Sequence, residues 1–223
     1  MKVYFIAGLG ADSRVFKRIQ LPIGYEMVYL PWLKPVPKES LAQYSLRLSE
    51  SIEENQPFVL AGLSLGGMIA IEIAKIKKPT ATILFSSVAT SQQLPKRFRV
   101  ALHFQLHKMV PIGLLKNISV FKRVFTSDTK EDQQLLIDMI KACDAAFIRW
   151  AIGAILQWRN ETIPTPLWHI HGTKDEILPF KYAHPTHAIH KGTHVMILSK
   201  AAEINVILQS VLASPNNDKQ EEG

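Results

Sequence analysis

Short apolar runs alternate with stretches of helical period along most of the chain. Val3–Ala7 is an apolar run stopped by Gly8-Leu9-Gly10, and it reads as a first strand. Asp12 or Ser13 then caps a short helix through Val15, Phe16 and Ile19. Tyr25–Leu30 reads as a second strand ended by Pro31, and Pro35 and Pro37 make Trp32–Lys38 a loop. From about Ser40 the apolar positions Leu41, Tyr44, Leu48 and Ile52 fall 3, 4 and 4 apart, one face of a helix. Phe58–Ala61 is apolar throughout, as in a strand covered on both faces of a parallel sheet. After the break Gly62–Gly67, Met68–Lys77 reads as a buried helix, with Lys75, Lys77 and Lys78 where its dipole favours cations. Thr80–Phe85 and Leu167–His171 are further strands, His187–His190 is a weak one, and Met196–Leu212 is the last helix.

Strands alternating with helices imply right-handed crossovers and a parallel sheet, an α/β fold. Between the strands at 80–85 and 167–171 the period turns helical, with helices over 96–108, 112–124 and 131–158 and breaks near Pro111 and Ser127–Asp128. Residues 91–160 are therefore expected as a helical cap inserted into a core of 1–90 and 161–213. A chain of 223 residues suits one domain with such an insertion. The polar tail 214–223 is expected to be disordered.

Composition narrows the class without naming it. Hydrophobic residues make up 47% and charged residues 20%, which excludes a disordered chain or a collagen-like repeat. Cys143 is the only cysteine, so no disulfide can form within the chain, and a reducing, cytoplasmic setting is expected. The N-terminal apolar run is too short for a signal-peptide core, and no run reaches the length that crosses a membrane. The net charge is +7, and residues 91–160, with 11 Lys/Arg and 5 Asp/Glu, supply +6 of it. A basic cap would suit an anionic or CoA-linked acyl substrate, and it would equally serve as a solvated face. No nucleic-acid motif accompanies the charge. Gly8-Leu9-Gly10 lacks the third glycine of a dinucleotide fingerprint, so no cofactor is expected.

The chemistry gathers in three separated motifs. Gly62-Leu63-Ser64-Leu65-Gly66 matches G-x-S-x-G, with an apolar strand before it and a helix after it. In that context the serine sits on a sharp, strained turn, and the flanking glycines avoid clashes that bulkier residues would make. Its hydroxyl is exposed, and the Leu65 N–H at the helix start points to where a tetrahedral oxyanion would form. A serine hydroxyl is a poor nucleophile at neutral pH, so it needs a base, and the base needs an orienting group. His171-Gly-Thr-Lys-Asp175 follows a strand, and Gly192-Thr-His194 precedes the last helix. Ser64, Asp175 and His194 thus occur in the order such a site requires, with adjacent Glu176 as an alternative acid. The Leu9 N–H, at the end of the first strand, can offer a second oxyanion donor.

On these motifs the chain resembles the α/β-hydrolases from about residue 3 to 212. It is especially similar to small bacterial members with an opening like Ala7-Gly-Leu-Gly-Ala-Asp-Ser-Arg-Val-Phe16 and a helical cap. The resemblance implies Ser64 as nucleophile, Asp175 as acid, His194 as base, and Leu9 and Leu65 as backbone oxyanion donors. Two departures stand out. Ala7 occupies a position where members often have His, and the chain starts on the strand that usually comes third. A mostly parallel sheet of about six strands, lacking the first two, is therefore expected.

The implied activity is a serine hydrolase acting on a small or medium carboxylic ester or thioester. The same triad could serve carbon–carbon bond hydrolysis or acyl transfer, and a non-catalytic scaffold that binds a small ligand is the reading of a different class. The partner is a small acyl molecule in the first two cases. His103/His107 and His169/His171 have metal-ligand spacing, but no Asp, Glu or Cys cluster completes either pair, so no metal is expected. His171 reads instead as a support for the Asp175 turn. Phe98, Phe104, Phe121, Phe125, Phe147, Trp150 and Trp158 read as cap packing, with one or two lining an acyl pocket.

Overall fold

The computed structural model describes residues 1–96, 98 and 129–213. The helix expected over 112–124, that over 96–108 apart from Lys96 and Phe98, and with them His103, His107, Phe104, Phe121, Phe125 and the tail, lie outside the described residues.

The six expected strands are present: β1 (Lys2–Ile6), β2 (Glu26–Tyr29), β3 (Phe58–Leu63), β4 (Ala81–Phe85), β5 (Leu167–Gly172) and β6 (His187–Ile189). All five pairings are parallel, in the order β2-β1-β3-β4-β5-β6. Side chains alternate across the central strands. Val3, Phe5, Val59, Ala61, Ile83 and Phe85 belong to one buried cluster, and Tyr4, Ile6, Phe58, Leu60 and Leu84 to the other. Both faces are therefore covered, which explains the continuous apolar text of β3 and β4.

Helices α1 (Leu41–Ser49) and α2 (Leu65–Lys77) cover the second face. The expected start of α1 is a capping box: Gln43 N donates to Ser40 Oγ at 3.2 Å, and Ser40 N to Gln43 Oε1 at 2.9 Å. The helical period over 131–158 resolves into two helices rather than one, α3 (Lys130–Ala142) and α4 (Ala145–Gln157). The cause is Asp144, whose Oδ1 accepts from Ala146 N at 2.6 Å and Phe147 N at 3.0 Å and so starts a new helix. After α5 (Phe180–Ala183), the expected C-terminal helix is likewise divided, into α6 (Met196–Ser199) and α7 (Ala201–Ala213) at Lys200.

Buried polar contacts fasten α3 and α4 to the sheet layers. Arg18 Nη1 donates to Asp132 Oδ2 at 2.7 Å and to the Leu198 carbonyl at 2.9 Å, joining α3 to α6. Trp158 Nε1 donates to Glu72 Oε1 at 2.7 Å, joining the end of α4 to α2. Phe147 and Trp150 of α4 pack on Trp32 and Tyr44, with Trp32–Phe147 ring centroids 4.7 Å apart. These aromatics therefore knit α4 to the core, rather than packing only within a cap.

The strand order has one consequence for function. From β1 the chain moves outward to β2, then returns to β3 on the other side of β1 and continues to β4. The order reverses between β1 and β3, and open α/β sheets bind ligands at the carboxyl end of such a reversal. The two loops that flank this point are Gly8–Gly10 and the Ser64 turn.

Candidate active site

The turn after β3 is built for close approach. Ser64 has φ 53° and ψ −115°, a conformation that L residues rarely adopt. The Ser64 carbonyl accepts from Gly67 N at 2.9 Å, which begins α2, and from Ser87 Oγ at 2.7 Å. Gly66 crosses directly under β1, where a Cβ would run into the Ile6 and Ala7 carbonyl oxygens. Gly62 is hemmed in by the Gly66–Gly67 backbone in the same way. Gly8 lies alongside: a Cβ there would sit 3.4 Å from both Ser64 Cβ and the Leu63 carbonyl oxygen. The backbone bearing Leu9 and the one bearing Leu65 thus flank one serine.

The loops after β5 and β6 deliver the other two groups. They are pressed together at Gly172 and Gly192, and Lys174 N donates to the Gly192 carbonyl at 2.9 Å. His194 Nε2 lies 3.0 Å from Ser64 Oγ, and its Nδ1 lies 2.7 Å from Asp175 Oδ2. The other carboxylate oxygen, Oδ1, accepts from Ile177 N and Leu178 N at 2.9 Å each. Asp175 and His194 are buried, whereas Glu176 is exposed. Of the two adjacent acids, Asp175 is the one that meets the histidine. The three residues singled out from the sequence, 130 positions apart at the extremes, form one hydrogen-bonded chain.

Sequence reasoning saw the support for Asp175 only in outline. His169 and His171 point from one face of β5 and are both buried. His171 Nε2 lies 2.8 Å from the Leu178 carbonyl oxygen and 3.3 Å from Asp175 Oδ2, and its Nδ1 lies 3.2 Å from His169 Nε2. The signal was the His-x-His alternation running into Gly172.

The electrostatics follow from burial and these contacts. Burial by itself raises the Asp175 carboxyl. The charge that His194 carries when protonated, with hydrogen bonds from His171 and His194, outweighs burial and holds it well below the usual carboxylate range. His169 is pushed down to about 3, first by burial and then by neighbouring His171. In the unfolded chain it takes up a proton near its ordinary 6.5. Its contribution to stability is therefore complete above about pH 6.5 and drains away as pH falls toward about 3. The depressed Asp175 acts in a lower window, stabilising above its ordinary value and losing that contribution as pH falls below it. Urea unfolding at about pH 7, 5.5 and 4.5 is expected to show falling stability, and His169→Gln to lose less over that range. Parallel losses would remove His169 as the cause.

A cleft of about 390 Å³ lies between the loops after β1 and β2 and the α3–α4 corner. Ala11, Trp32 and Leu33, from the loops after β1 and β2, face Met139, Cys143 and Phe147 of the α3–α4 corner across it. Gly10 approaches this corner too, where a Cβ would meet Ile140 Cδ1. Of the basic residues in 91–160, Arg97, Arg99, Lys108, Lys116, Lys122 and Arg123 lie outside the described residues.

No family model matches the sequence, and no curated protein matches it either. Solved structures do match, over nearly the whole chain. An esterase from Exiguobacterium antarcticum superimposes with a TM-score of 0.73 at 18% identity, covering 96% of this chain and 92% of its own. MenH from S. aureus gives 0.77 at 16% identity, covering 97% and 95%. The chain has the α/β-hydrolase fold. An esterase from Thermogutta terrifontis, solved with malate bound, shares the hydrolase fold at a TM-score of 0.69 and 15% identity, covering 96% and 90%. Within the hydrolase fold of this chain, no helix of the described residues is long and apolar enough to cross a membrane.

Proposed function

We propose that the chain is a serine hydrolase that cleaves a small or medium carboxylic ester or thioester through an acyl-enzyme on Ser64. The observation that carries this reading is the unbroken chain from Ser64 Oγ through His194 to Asp175, at 3.0 and 2.7 Å, on a serine held at φ 53°. The esterase neighbours support the reaction class by analogy of fold.

His194 Nε2 takes the Ser64 proton as Oγ attacks the acyl carbon. The backbone N–H groups of Leu65 and Leu9 hold the resulting oxyanion, where the N-terminus of α2 adds its positive dipole end. Asp175 fixes the tautomer of His194 and stabilises its positive charge without taking the proton. The intermediate collapses, and His194 hands the proton to the departing alcohol or thiol. A water deprotonated by His194 then attacks the acyl-enzyme, and Oγ recovers the proton as the acid leaves. Residues 91–160 act as a cap on a core of 1–90 and 161–213, with the α3–α4 corner roofing the cleft beside Gly10 and Trp32.

Two measurements on the intact chain test this. A fluorophosphonate should label the protein at Ser64, located by peptide mass, because only an activated serine reacts. p-Nitrophenyl esters from acetyl to decanoyl should be hydrolysed, and the best chain length sizes the acyl pocket. A folded protein that takes no label and cleaves no ester would overturn the proposal.

A further inference from the structure

We infer that His171 is a positioning residue of this site, one that holds Asp175 Oδ2 opposite His194 and draws off part of the carboxylate charge. The inference rests on the reading of Ser64, His194 and Asp175 given above. His171 Nε2 faces the Leu178 carbonyl oxygen and Asp175 Oδ2, and both are acceptors of an ionised acid and a peptide. Nε2 must therefore carry the proton. In the neutral ring Nδ1 is then bare, and it can only accept. Its neighbour is His169 Nε2 at 3.2 Å, in a ring whose one proton also has the Ser87 and Ala183 backbone carbonyls as acceptors. His171 thus donates toward Asp175, and the acceptor Nδ1 it leaves faces the His169 ring.

The two carboxylate oxygens are treated differently. Oδ1 is anchored by two backbone N–H groups, a fixed part of the loop. Oδ2 is shared between His194 and His171. A second donor on Oδ2 spreads the charge that would otherwise fall on His194 alone. His171 therefore competes with His194 for Oδ2, and losing that donor would concentrate the carboxylate charge on His194.

Among the described residues, the titratable groups facing His171 are few. They are His169 on its own strand and Asp175 from the loop after β5, with His194, from the loop before α6, bound to the same Asp175 Oδ2. Helix α5 presents the Phe180 ring, with centroids 6.4 Å apart. His187 of β6 instead pairs with Trp168, on the other face of β5.

The test has one arm on the unaltered protein. Nitrogen-15 histidine spectra near neutral pH should show His171 protonated on Nε2 with a bare Nδ1. The opposite tautomer would overturn the inference whether or not any variant folds. The second arm compares His171→Leu, which removes the donor, with His171→Gln, whose amide can replace it. With p-nitrophenyl acetate, the acid limb of the kcat/KM profile should move to higher pH by about half a unit to one unit in H171L and stay near its original place in H171Q, with KM little changed in both. A folded, active H171L with an unmoved acid limb would show packing alone and would overturn the inference. If the parent chain cleaves no ester, the hydrolase reading fails by itself. The proton on His194 Nδ1 then decides: it should resonate further downfield in H171L but not in H171Q, and no displacement overturns the inference.

Discussion

Replacing Ser64 by alanine is expected to lower kcat/KM toward p-nitrophenyl esters by roughly 10⁴-fold or more while the far-UV spectrum stays unchanged. The mutation removes the attacking oxygen and leaves the backbone as it was. His194 Nε2 loses its partner at 3.0 Å, and the backbone around Leu9 and Leu65 is untouched. What remains should be the modest catalysis of binding and oxyanion stabilisation alone. Activity close to that of the parent would mean that Ser64 is not the nucleophile. Ser64→Gly adds a second readout from the same position. At an ordinary site glycine is less stable than alanine by roughly 0.5–1 kcal/mol, because its unfolded chain is freer. At φ 53° and ψ −115° an L residue is strained by an amount on the order of 1–3 kcal/mol, and glycine is not. S64G should therefore be at least as stable as S64A by urea midpoint, though equally inactive. The usual order, alanine above glycine, would mean that the turn stores no strain.

That turn could be read in the sequence because its signal is local. Gly62, Ser64 and Gly66 lie within five residues, and the apolar run before them fixes the strand. The order of Ser64, Asp175 and His194 was legible for a related reason: each follows a strand, and parallel strands deliver their following loops to the same edge. The helix break at Asp144 was not legible, because good helix formers lie on both sides and an Asp within helical text carries no mark of capping until its Oδ1 finds Ala146 N and Phe147 N. Nor was the Glu72–Trp158 bond, since nothing local to either residue names a partner 86 positions away. The His169–His171 pair fell between these cases. Their alternation placed both on one face of β5, but the bond to Asp175 Oδ2 depends on how the chain turns after Gly172.

Position and charge meet at Asp175, where the second large effect is expected. Asp175→Asn should lower kcat/KM by about 10⁴-fold, as for an acid that fixes a tautomer. Oδ1 must go on accepting from Ile177 N and Leu178 N, which forces the new amide nitrogen into the place of Oδ2. That nitrogen donates and cannot accept. It meets His194 Nδ1, which must give up its proton to accept, and the proton moves to Nε2. His194 then presents an N–H to Ser64 Oγ and can no longer take the hydroxyl proton. The amide also opposes the Nε2–H of His171, so D175N should be less stable than the parent as well as slower. Asp175→Ala leaves His194 free to keep the useful tautomer, so it should retain more activity than D175N at the same pH. Steady-state kinetics on both variants, with circular dichroism to verify folding, checks the ranking. A loss of less than about tenfold in folded D175N would mean that the carboxylate does not orient the base, which the 2.7 Å contact to His194 argues against.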